Sequence, residues 1–110
     1  MLIKFDEMDW KANPNFKGGE KTFFNKPVTD EYGKIMMGRL EPGASIGFHG
    51  HEGEAEIVYI LSGNGAELYD DGRLEVHPGE CHYLEDGHSH SLINTSETED
   101  LVFFSVIPKH

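Results

Sequence analysis

Turn signals interrupt this chain about every ten residues, and the runs between them are short and rich in β-branched and aromatic side chains, with no stretch that keeps a helical period. Thirteen glycines and five prolines supply the punctuation. Turns at Glu41-Pro42-Gly43, Ser62-Gly63-Asn64-Gly65, Asp70-Asp71-Gly72, His77-Pro78-Gly79 and Asp86-Gly87 set off strands expected over 21–25, 34–40, 45–49, 56–61, 65–69, 73–76, 81–85, 90–94 and 101–107. Asp71-Gly72 is the clearest hairpin signal. The pattern is that of an all-β sandwich or barrel. Residues 1–20, with Asn13-Pro14-Asn15 and Gly18-Gly19, read as an irregular N-terminal arm with a short helical turn near 8–11, and 21–110 as the β domain.

A chain of 110 residues closes one core, so any pocket lies within that unit or between subunits. Nine Lys+Arg against 20 Asp+Glu give a net charge of −11, which argues against binding nucleic acid through its phosphates and favours a metal or a small polar ligand. The opening MLIKFDEMDW carries acids where a signal peptide needs an apolar run, and no segment reaches membrane-spanning length. A soluble, cytoplasmic protein with no membrane partner is expected. Cys81 is the single cysteine, so no intrachain disulfide forms; in an apolar strand it reads as a small buried hydrophobe. The runs 56–61 and 101–107 are apolar on both alternating faces, one for the core and one for a second subunit. A homodimer is the expectation; the alternative is that the arm covers those faces.

The chemistry-bearing residues lie in two segments. In a strand, His49 and His51 project from one face, and Gly53 permits a reversal after which Glu56 opens the next antiparallel strand facing them. The second segment, GECHYLEDGHSHSLIN, offers His90, with His88 and His82 as competitors. Three neutral imidazoles and a carboxylate suit a divalent first-row transition metal.

The spacing resembles the cupin family. Gly43, five residues, His49-x-His51, four residues, Glu56, six residues and Gly63 match the first cupin motif at every position. Gly79, five residues, Glu85-x-Gly87, two residues, His90, three residues and Asn94 match the second, with Glu85 standing where the family has proline. The 15 residues between the motifs fit the compact spacing of small bacterial cupins, and the resemblance spans 43–94, 52 of the 110 residues. It implies a double-stranded β-helix, or jelly-roll, barrel with His49, His51, Glu56 and His90 as metal ligands at its mouth. One ion per chain is implied, Fe, Mn, Ni, Co, Cu or Zn, with two coordination positions left for water or a small-molecule ligand.

The resemblance extends to oxygenases, isomerases, decarboxylases and lyases. A metal-dependent enzyme acting on a small polar molecule is therefore the first expectation, and a non-catalytic ligand-binding or sensing module the second; a purely structural ion is the third. Glu56 can leave the ion to act as a base, and His88, which shares the strand parity of His90, can transfer protons at the rim or remain an exposed turn residue. His82 alternates with Cys81 and Tyr83 and faces away from both. Tyr59, Tyr69, Tyr83, Phe48, Phe103 and Phe104 can line a pocket or pack in the core and interface, and one of Met36 and Met37 borders the pocket.

Overall fold

The computed structural model describes residues 1–50 and 53–109. Among these, β1 (Lys11–Pro14), β2 (Thr22–Asp30), β3 (Gly33–Leu40), β4 (His49–Gly50), β5 (Glu56–Ser62), β6 (Gly65–Tyr69), β7 (Gly72–Val76), β8 (Cys81–Leu84), β9 (Ser89–Asn94) and β10 (Leu101–Pro108) form two antiparallel sheets. The larger runs β1-β2-β3-β10-β5-β8, the smaller β4-β9-β6-β7. From β4 onward the chain passes repeatedly between the two sheets; the turn spacing predicts an all-β sandwich or barrel, and this path gives it the jelly-roll arrangement that the resemblance implies.

Strand alternation decides what lies between the sheets. Leu101, Phe103 and Ser105 of β10 are buried, as are Met36, Gly38 and Leu40 of β3 and Glu56, Val58 and Ile60 of β5. Phe103 pairs with Gly38 on one side and Ile60 on the other. Its ring fills the space above Gly38, where a Cβ would lie 2.2 Å from it. Phe103 stacks on Phe23 at 5.9 Å, and Phe23 meets Phe16 at 5.2 Å. With Leu40, Val58, Ile60, Leu92 and Leu101 these rings make the core. Each such side chain, fully buried, contributes about 1.5–3 kcal/mol.

The arm is more ordered than its composition suggests. A 3₁₀ turn forms at Phe5–Glu7, upstream of the turn expected near 8–11, and 11–14 joins the sheet edge as β1, paired with β2. Pro14 is tolerated because it ends an edge strand. Asn13 adds side-chain bonds to the Phe23 carbonyl and to Asn25 Oδ1. The expected strand 45–49 is reduced to an isolated bridge at Ser45 and the two residues of β4. The arm bonds one edge of this stretch, Ser45 N–H donating to the Glu20 carbonyl and Gly47 N–H to that of Phe16, while Ile46 N–H on the other edge donates to the Leu92 carbonyl of β9.

The outer face of the large sheet is partly covered by the arm. Phe5 meets Phe104 edge-on at 6.1 Å, and Trp10 receives the cations of Lys26 and Arg39. Toward β5 and β8 the cover ends, leaving Tyr59 41%, Leu61 43% and Tyr83 57% exposed. Cys81 is also exposed there, not buried, because its strand parity turns it outward with Tyr83. Among the described residues no helix is long and apolar enough to cross a membrane.

Candidate metal centre

The pairing of β4 with β9 sets His49 directly opposite His90, with ring centroids 4.7 Å apart. Glu56 opens β5, as its sequence position predicts, but β5 belongs to the other sheet. It therefore faces the histidines across the interior and not from a hydrogen-bonded neighbour. One donor atom from each of His49, Glu56 and His90 lies within 4.8 Å of the others. Gly53, at φ +75°, supplies the left-handed residue in the connection between the two sheets. His51, the remaining expected ligand, lies outside the described residues.

Each donor is held from behind. His49 Nδ1–H donates to the Gly47 carbonyl at 2.8 Å, which assigns Nε2 as the ring nitrogen turned to the cluster. Ser105 Oγ–H donates to Glu56 Oε2 at 2.6 Å, while Glu56 Oε1 lies 3.1 Å from His90 Nε2. His90 Nδ1 bonds Glu67 Oε1, and Glu67 Oε2 accepts from His82 Nδ1 at 2.6 Å. A continuous chain, Ser105–Glu56–His90–Glu67–His82, thus crosses the interior from β10 to β8. Ser105 and Glu67 are fully buried.

Burial pushes the Glu67 carboxyl toward neutrality, but hydrogen bonds from His82 and His90 outweigh it and hold its pKa below the ordinary carboxylate value. For His90, burial works against the charge, yet hydrogen bonds to Glu56 and Glu67 prevail and push it up to about 9. An unpaired buried carboxylate would cost several kcal/mol; two imidazole donors offset that cost. The donor set fits a divalent ion: two imidazoles and a carboxylate converge, and their outer atoms are already engaged. A second group, Glu67, His82 and His90, is equally compact, but there both carboxylate oxygens already lie on ring nitrogens.

A cavity of about 380 Å³ opens onto the cluster. His49, Glu56 and His90 line it, with Phe16, Phe23, Met36, Ile46 and Ile107 forming apolar wall and Lys17, Lys34 and Lys109 adding positive charge. Of the methionine pair it is Met36 that borders this space; Tyr59, Tyr69, Tyr83, Phe48, Phe103 and Phe104 do not line it. His88 bonds Asp70 at 2.7 Å and stacks on Tyr69, at the edge of β9 and outside the donor group. His82, whose role sequence parity left open, faces inward. Glu67 and Ser105 escaped sequence reasoning. Their signal was there: each is a polar residue at an inward position of an otherwise apolar strand, Gly65–Tyr69 and Leu101–Pro108.

The cupin-domain family model matches residues 36–107. The chain belongs to the cupin family. This cupin is 46% identical to an oxalate-binding protein of Thermotoga maritima, over 97% of its own length and 93% of that protein's. It also matches the crystal structure of a predicted oxalate decarboxylase from Thermotoga maritima with a TM-score of 0.92 and 30% identity, covering all of both chains. The structure of KdgF from Halomonas sp. shares the fold at a TM-score of 0.82 and 15% identity, over 100% of this cupin and 94% of that chain.

Proposed function

We propose that this cupin binds one divalent transition-metal ion through His49, His51, Glu56 and His90, and that its ligand is a small carboxylate of the oxalate class on which it acts as a metal-dependent enzyme. The observation that carries the reading is the juxtaposition of the donor group with three lysines, in a chain whose cationic side chains number only nine. In a protein of net charge −11, Lys17, Lys34 and Lys109 balance Asp30, Glu54 and Glu56 of the same lining, so an anion entering the cavity meets far less repulsion than the charge of the whole chain would impose. The name of the Thermotoga maritima relative supports the same ligand class.

A bound ion would supply a Lewis-acid centre for carboxylate oxygens. The chain's own residues do the rest. The apolar wall formed by Phe16, Phe23, Ile46 and Ile107 keeps water from the ligand's flanks, which strengthens the attraction of the lysines for it. Glu56, held by Ser105 at one oxygen, can take a proton at the other. His88, on Asp70 at the rim, can pass protons between Asp70 and solvent.

A second reading, binding without turnover, draws on the cavity lining. Among its residues the titratable groups besides the two histidines are Asp30, Glu54, Glu56 and three lysines, and Glu56 belongs to the donor set. We further read the uncovered β5/β8 face, with Tyr59, Leu61 and Tyr83, as the contact of a homodimer. Light scattering on the protein and on Tyr83→Glu tests this: a dimer turned to monomer is the expected result, and a monomeric wild type refutes it.

For the site, elemental analysis of protein purified without added metal comes first. Calorimetry with oxalate and an assay for its consumption follow, on wild type and on His49→Ala and His90→Ala. Binding and turnover that vanish with the metal in both variants fit the enzyme; saturable binding without turnover fits the second reading. A wild-type chain that takes up no ion refutes the metal-dependent enzyme and, where oxalate still binds, favours the second reading.

A further inference from the structure

Glu67 is a carboxylate on the inward face of β6, fully buried, and its contacts are with the side chains of two histidines from different sheets. One, His90, belongs to the proposed donor group; the other, His82, does not. His82 is fixed in turn: Val58 of β5 stands opposite it, and the Tyr69 ring meets it edge-on at 4.9 Å. We propose that Glu67, anchored by His82, is a positioning residue that sets the tautomer and ring plane of His90 and so presents His90 Nε2 to the metal.

The argument is geometric. In the metal-free protein both ring nitrogens of His90 face carboxylates, Nδ1 that of Glu67 and Nε2 that of Glu56. When an ion replaces the Nε2 proton, the bond to Glu67, which as an ionised carboxylate only accepts, keeps the remaining proton on Nδ1 and leaves the lone pair on Nε2. Without that bond the ring has two tautomers and two flipped orientations, and one combination suits coordination. The carboxylate has to be held as well, or it would turn with the ring. Glu67 Oε2 accepts from His82 at 2.6 Å, and the two imidazoles flank it with ring centroids 6.5 Å apart. The strand positions bring this about: Tyr69 is the cross-strand neighbour of His90, and Glu67 lies two residues before it on the same face of β6, within reach of the ring. A carboxylate behind a metal-bound histidine typically raises metal affinity 10–100-fold.

This inference rests on the metal reading above, and its test separates the two. Co²⁺ is titrated into wild type, Glu67→Gln and His82→Gln, with affinity read by competition against a chromogenic chelator and ligand geometry by the Co²⁺ absorption spectrum. Histidine tautomers are read by nitrogen-15 NMR on metal-free protein above about pH 9, where the His90 ring is neutral, and circular dichroism reports folding. The expected result is a 10–100-fold weaker Co²⁺ affinity in Glu67→Gln with an altered spectrum and mixed His90 tautomers. A smaller loss in the same direction is expected in His82→Gln. Should Glu67→Gln fail to fold, His82→Gln carries the test alone, and an affinity equal to wild type overturns the proposal. Wild-type affinity and spectrum in both folded variants overturn the positioning role and leave the metal reading standing. A wild type that binds no Co²⁺ overturns the metal reading and this inference with it.

Discussion

Asn94 closes the second motif and yet is no metal donor in this fold; its work is to tie the two sheets together, and truncating it should cost about 3 kcal/mol. It ends β9 in the smaller sheet, and its Nδ2 donates to the carbonyls of Leu40 at 2.9 Å, Glu41 at 3.1 Å and Glu99 at 2.8 Å. Two hydrogens thus serve three acceptors, while Oδ1 receives the Ser96 N–H at 2.9 Å. In Asn94→Ala the Leu40 carbonyl, on a fully buried residue, loses a donor that water cannot replace, a loss of about 1–3 kcal/mol. The Glu41 and Ser96 groups are half-buried and add roughly 1 kcal/mol between them, and exposed Glu99 finds water. A loss of this size is a large part of a typical domain's stability and should lower Tm by about 10 °C or more. Urea unfolding followed by circular dichroism measures it. Asn94→Asp should be at least as damaging near neutral pH, since it turns a carboxylate toward three carbonyl oxygens. A loss below about 1 kcal/mol in Asn94→Ala, or an aspartate variant as stable as wild type, would refute the reasoning. Folded Asn94→Ala should keep metal affinity within a few-fold of wild type.

The remaining predictions concern the site. His90 in the metal-free protein has its pKa raised from 6.5 to about 9, so its contribution to stability is complete below 6.5 and is lost as pH rises through about 9. Glu67 is lowered from 4.5, so its contribution is present above that value and fades as pH falls below it. Urea midpoints of metal-free protein at a series of pH values should therefore peak between about 4.5 and 6.5 and decline toward pH 10; a midpoint still rising at pH 9 contradicts this. Ser105→Ala removes a charge-assisted bond to buried Glu56 and should lower stability by about 1.5–3 kcal/mol, with several-fold weaker Co²⁺ binding. An unchanged denaturation curve would dismiss that role. In Gly47→Ala the new Cβ would fall 1.8 Å from the Lys17 carbonyl, so the arm or the 45–49 segment must shift. The His49–Gly47 bond would move with it. Calorimetry should find weakened metal binding and a lower Tm together, and a loss of neither would rule out the contact.

Most of the fold was legible because its signals are local. Turn residues and alternation located β3 and β5 to β10 and the first part of β2, which continues to Asp30. The hairpin that Asp71-Gly72 signals is present, but its two-residue turn is Asp70-Asp71, with Asp70 at φ 53° and Gly72 already paired with Tyr69. What failed depends on distant partners. Nothing in Lys11–Pro14 alternates as a strand should, and it becomes one because β2 offers an unpaired edge. Residues 45–48 alternate well enough, but backbone from the arm competes for their hydrogen bonds. At the site, spacing marked the donors. The groups behind them were not sought, since a buried glutamate in an apolar strand acquires meaning only when its partners 15 and 23 residues away are known.

The path of the chain between the sheets has a kinetic consequence. Ser105 and Glu56 are separated by 49 residues, and the linked chain of side chains from β10 to β8 draws on both sheets. Contacts of such separation form late, after the entropy of closing long loops has been met. No fragment lacking β10 holds the complete arrangement, however well its own strands pair. Ion affinity during refolding should then reach its full value only when β10 has brought Ser105 behind Glu56, on the timescale of global folding and not on that of any single hairpin.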